Sequence, residues 1–137
     1  MISVPQRPPA VLAGAALVLL GILGLLPGVT AHYGDLELAG RGSGAKLFGL
    51  FQVSILLDLV HLALGLAGIV SARTGEGARL FLQVGGGACL LLWLLGVAAA
   101  GYWIPLNTAD NWLHFVLALV LLALGSVARP RATPAAV

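Results

Sequence analysis

The chain has 137 residues, 60% of them hydrophobic and only 9% charged, whereas soluble domains carry about 25% charged residues. A small domain in water buries only about two-thirds of the surface its unfolded chain exposes, so this composition excludes a water-soluble globule and makes lipid the expected solvent. The formal charge of +2 comes from scattered basic residues and a lone cysteine, Cys89, stands in the chain. A nucleic-acid partner therefore has no support, and an internal disulfide or cysteine-rich metal site is excluded.

The first apolar stretch runs over about 10–26 and closes at Pro27-Gly28. A cleaved signal peptide is the competing reading, with Arg7 before the stretch and the small residues Val29-Thr30-Ala31 after it. The apolar run is long for a signal sequence and its removal would leave three spans, so the stretch is read as retained. A polar, glycine-rich loop follows, from His32-Tyr33-Gly34-Asp35 to Gly40-Arg41-Gly42-Ser43-Gly44. Its Gly40 to Lys46 segment imitates a phosphate loop but has Ala45 before the lysine and Leu47 after it, where that motif needs Gly and Ser/Thr.

The second stretch, about 46–72, contains Gln52, Ser54, Asp58 and His61; a tight turn, Arg73-Thr74-Gly75-Glu76-Gly77, ends it. The third, about 78–100, contains Gln83 and the run Gly85-Gly86-Gly87. The fourth, about 111–128, follows Asn107-Thr108-Ala109-Asp110, in which Asn107 reads as a helix cap with Asp110 in capping-box position. Each stretch is near the roughly 20 residues a helix needs to cross about 30 Å of hydrocarbon, and none alternates with a period of two. The expected fold class is all-α: an integral membrane four-helix bundle in a single membrane domain over 1–137. Tyr102, Trp103 and Trp112 read as an aromatic belt at headgroup depth. Arg7, Arg73, Arg79, Arg129 and Arg131 fall on one side and Arg41 and Lys46 on the other, which predicts both termini in the cytoplasm of a cell-membrane protein.

Polar residues within the apolar stretches mark the candidate ligand or proton site. Asp58 reads as lying near the middle of the second span, where a carboxylate costs about 2.5–3.5 kcal/mol. It is expected to be protonated or paired with a protonated His61, with Ser54 on the same face. The bland alternative is that Ser54, Asp58 and His61 hydrogen-bond other spans and fix their packing. At about 1.5 Å per residue, His61 falls some 17 Å deeper than His114, which argues against a shared metal or haem; no metal and no cofactor are expected. His114 falls instead near the level of Gln52, and Asn111 near Lys46, so an outward-facing polar vestibule competes with a plain capped helix end. Gly65 and Gly68 are expected to pack against Gly85, Gly86 and Gly87 as spans two and three form an antiparallel hairpin.

Two segments carry a family resemblance. Gly44-Ala45-Lys46-Leu47-Phe48-Gly49-Leu50-Phe51-Gln52-Val53-Ser54, followed by Val60-His61-Leu62 and Gly65, is one. The other is Pro105-Leu106-Asn107-Thr108-Ala109-Asp110-Asn111-Trp112-Leu113-His114. Together they resemble a family of small bacterial four-span membrane proteins, domain of unknown function 4383, over nearly the whole chain. The resemblance implies that the first span is retained and brings no reaction, substrate or cofactor; it departs at Leu57-Asp58, where the family pattern often has His-Asn. The expected function is that of a non-enzymatic structural or accessory membrane protein, acting as a homo-oligomer or with a membrane-complex partner. The alternative is a small transport or sensing protein that binds a polar ligand or a proton.

Overall fold

Apolar helices dominate the computed structural model, which describes residues 5–98 and 104–127. Helix α1 spans Arg7–Gly24, α2 Ile55–Ser71, α3 Gly75–Val97 and α4 Thr108–Ser126. Three of them, α1, α3 and α4, are long and apolar enough to cross a membrane, while α2 has 17 residues. Helix α1 begins on Pro8 and Pro9, which suit a first turn because no carbonyl there awaits their missing N–H groups. Each of α1, α3 and α4 starts about a turn ahead of its apolar stretch, because the polar or proline-bearing first turn is itself helical. Tyr102, Trp103, Arg129 and Arg131 lie outside the described residues.

The expected helix over 46–72 needs correction at its start. Thr30–Ala31 (β1), Lys46–Leu47 (β2) and Phe51–Gln52 (β3) form a small antiparallel sheet in the order β1-β2-β3. Lys46 pairs with Gln52 and Leu47 with Phe51 across a turn in which Phe48 and Gly49 take positive φ, 54° and 70°. Lys46 is exposed while Leu47 is buried with Ala45 and Val53 against Leu20 and Leu23 of α1. The apolar residues here belong to a strand and a turn, and a short apolar run has no period to separate that from helix. Helix α2 begins only after Ser54, whose hydroxyl accepts from the Leu57 N–H at 3.2 Å.

The helices pack in two antiparallel pairs, α1 with α2 and α3 with α4. Glycines let the backbones approach, which is how helices associate where lipid supplies no hydrophobic drive. A Cβ at Gly14 would stand 2.7 Å from the Gly65 carbonyl oxygen, and one at Gly65 would stand 2.6 Å from the Val18 N. Gly21 faces Leu62, Gly86 faces Leu122, and Gly125 faces Gln83. The expected hairpin of Gly65 against Gly85–Gly87 is therefore not the arrangement found. Gly65 serves α1, Gly85 and Gly86 face α4, Gly87 has open space around it, and only Gly68 meets α3, at Phe81. The reason is chain connection: the tight α2–α3 turn brings only the neighbouring ends together, where Ala10, Ala72, Ala78 and Leu82 form a small core. Trp93 and Phe115 fill the α3–α4 interface with ring centroids 4.9 Å apart.

Replacing Gly14 or Gly65 by Val should lower stability by about 1–3 kcal/mol through overpacking, whereas Gly87→Val should leave it unchanged. Thermal unfolding in a mild detergent measures all three.

Candidate functional site

One end of the helices is closed by residues 27–53, a lid built on the small sheet. The Thr30 hydroxyl donates to the Leu23 and Gly24 carbonyls, at 3.1 and 3.0 Å, and so covers the last turn of α1. The first N–H groups of α2 are taken as well: Ile55 donates to the Glu37 carbonyl and Leu56 to that of Leu38, at 3.1 and 2.9 Å. Ser43 ties the lid internally, accepting from the Glu37 N–H and donating to the Val53 carbonyl. Asn107 and Asp110 form a reciprocal capping box on α4. Oδ2 of Asp110 accepts from both the Asn107 N–H at 2.9 Å and the Gln52 N–H at 3.1 Å, while Nδ2 of Asn107 donates to the Leu50 carbonyl at 2.7 Å. The cap of α4 is thus also the seam between α4 and the lid.

Gln52 is spent on that seam. Its side-chain amide donates to the Arg41 and Ser43 carbonyls at 3.1 and 2.7 Å, which closes the loop rather than lining a vestibule.

Asp58 lies in the first turn of α2, about 5 Å from its start, not near the middle of the span. The correction follows from the later start of the helix. Its side chain is fully buried, and neither carboxyl oxygen has a hydrogen-bond partner. It presses on α1: a Cβ placed on Gly24 would fall on the Asp58 carboxyl group. His61 follows one turn later with a buried, unpartnered Nδ1. His61 and His114 each sit about 9 Å into their helices from the lid end. The depth mismatch expected from the sequence therefore does not hold. His114 is itself buried, with Nδ1 2.8 Å from the Asp110 carbonyl oxygen. Asn111 turns the other way, its unpartnered Oδ1 buried against Gly96 of α3.

The polar candidates therefore gather at one end of the helices but not in one vestibule. Asp58 belongs to the α1–α2 interface and Asn111 to the α3–α4 interface, while His61 and His114 sit at a similar depth on α2 and α4. Among the described residues no three His, Cys, Asp or Glu side chains converge as metal ligands would. A cleft of about 160 Å³ at this end is apolar, lined by Leu56, Leu57, Val60, Leu92, Ile104 and Pro105 with Ser54 at its edge. Sequence reasoning missed Ser43 and Thr30 as buried lid anchors and Gly96 as the seat of Asn111. The signals were thin: a Ser between glycines, a Thr three residues past a helix-ending Pro, and a glycine near the end of an apolar run.

The opposite end is closed by long side chains. Arg7 Nε donates to the Ala72 carbonyl at the end of α2 and Arg79 Nε to the Gly125 carbonyl at the end of α4, at 2.9 and 3.1 Å. Gln6 reaches from the start of α1 to the Val127 carbonyl at 2.9 Å.

Removing the seam carboxylate by Asp110→Ala should cost about 1–2 kcal/mol, the scale of a lost cap. It should also speed amide exchange at Gln52 and Asn107 while leaving α1 unchanged, as hydrogen–deuterium exchange will report.

No curated protein and no solved structure matches the chain. One family model, described as domain of unknown function (DUF4383), matches residues 7–127, from the first residue of α1 to just beyond α4. The capped helices and the lid that ties them all fall inside that match, and the chain belongs to this family.

Proposed function

We propose that the chain is a four-span membrane protein, with both ends cytoplasmic, that works as a structural or accessory component: a homo-oligomer or a subunit of a larger membrane complex. The observation that carries this reading is the outward apolar surface. Within the membrane-crossing window of α3 only 11% of residues are buried, and in those of α1 and α4 only 22%. Such helices need a surrounding of lipid or of other helices. Helix α2, at 17 residues, is at the lower end of the roughly 17–25 residues that cross a bilayer. Arg7, Arg73 and Arg79 at the end away from the lid support the cytoplasmic placement of that end. A role without catalysis fits polar side chains that are spent on caps and seams. Gentle extraction followed by native mass measurement is expected to give an assembly larger than the 13.9 kDa chain; a lone monomer under every condition overturns the reading.

A second reading, a small transport or sensing protein for a polar ligand or a proton, is favoured by one observation. Asp58, His61 and Asn111 each bury a polar atom without a partner, and such groups in a membrane mark functional sites by default. On this reading His61→Ala and His114→Ala reduce ligand binding or flux in proteoliposomes by tenfold or more, about 1.4 kcal/mol. Unchanged signals in both variants overturn it.

A further inference from the structure

Asp58 is the most buried ionisable residue among the described residues. Its side chain is fully buried between α1 and α2, and both oxygens lack hydrogen-bond partners. A carboxylate in the first turn of a helix is ordinarily welcomed by free N–H groups. Here those groups are already occupied, by the Glu37 carbonyl, the Leu38 carbonyl and the Ser54 hydroxyl. On the other side the carboxyl meets Gly24, the last residue of α1. That end of α1 is its negative end, where unsatisfied carbonyl groups concentrate, and Thr30 already donates to two of them.

Among the described residues the other charged groups give no counter-ion. On α1 only Arg7 is ionisable, at the far end; on α3 they are Glu76 and Arg79, also at the far end, and Cys89 midway. His61 follows on α2, and α4 contributes Asp110, held by its two backbone donors, and His114. The lid's His32, Tyr33, Asp35, Glu37, Arg41 and Lys46 are all exposed. An ionised carboxylate so enclosed has neither donor nor cation, and burying an unpaired charge is among the costliest arrangements a protein can hold.

We propose that Asp58 is a proton-binding site, holding its proton as a neutral carboxylic acid wedged between α1 and α2. The proton resides on a carboxyl oxygen, and its release leaves a carboxylate facing the negative end of α1. Release, with the proton passing to water that the opening admits, is therefore coupled to separation of the last turn of α1 from the first turn of α2. The proposal deepens the second reading above, naming the ligand as a proton.

Infrared difference spectroscopy between the native protein and Asp58→Asn, in proteoliposomes at neutral pH, tests it. The expected result is a carboxylic-acid C=O band in the native spectrum that is lost in the variant. Loss of carboxylate bands instead overturns the proposal. Should Asp58→Asn fail to fold, solid-state NMR on the native chain with ¹³C-labelled aspartate makes the same distinction from the Asp58 carboxyl shift. A carboxylate Asp58 together with reduced flux in the histidine variants would sink the proton site and leave the second reading standing. An acid at Asp58 with normal flux would keep the site and sink that reading.

Discussion

Satisfaction of backbone groups at the helix ends is the constraint on which this structure rests. A helix leaves its first N–H groups and last carbonyls without partners, and lipid offers no replacement. Here much of that demand is met by the chain itself. Ser54, Thr74 and Asn107 cap the starts of α2, α3 and α4 with side-chain oxygens. Thr30, Arg7 and Arg79 reach the terminal carbonyls of α1, α2 and α4. Every one of the last three bonds joins a helix end to a different element, so satisfying the ends also assembles the helices. At these three ends, satisfying the helix terminus is also a tertiary contact.

Between those ends the helices rely on close backbone approach. Gly14, Gly21 and Gly24 recur along the face of α1 that meets α2, and Gly86 and Gly125 open the contact of α3 with α4. The two pairs meet each other less extensively, through Phe81 over Gly68 and the small core around Leu82. The lid compensates at its own end. It receives the last turn of α1, supplies carbonyls to the first turn of α2 and binds the cap of α4 through Gln52 and Leu50. A segment rich in glycine and polar residues thus joins both helix pairs at the end opposite that core.

The sequence made some of this readable, for identifiable reasons. Hydropathy alone locates α1, α3 and α4, because a run long enough to cross lipid has few other folds open to it. The spacing from Asn107 to Asp110 marks the start of α4, because a capping box is local chemistry. The stretch from Lys46 to Val53 misleads, because Leu47, Leu50, Phe51 and Val53 look like a continuing span until the Phe48-Gly49 turn is known. That single misassignment displaced Asp58 and His61 along their helix and separated His61 from His114. Pairing of α1 with α2 rather than α2 with α3 was equally hidden, since all three carry glycines and only three-dimensional register decides which faces meet.

The corrected start of α2 changes what its polar residues mean. Deep in a span, Asp58 would be an isolated defect in hydrocarbon. In the first turn it stands where the lid, the end of α1 and the start of α2 converge, within one turn of His61 and at the level where α4 presents His114. Thr30 and Ser54 have already claimed the neighbouring carbonyls and N–H groups. The carboxyl is therefore left over because its neighbours are fully satisfied, while Gly21 and Gly24 hold α1 against it without side chains to spare. Any change of charge at Asp58 must act on the α1–α2 contact first, and through Thr30 on the lid that secures α4.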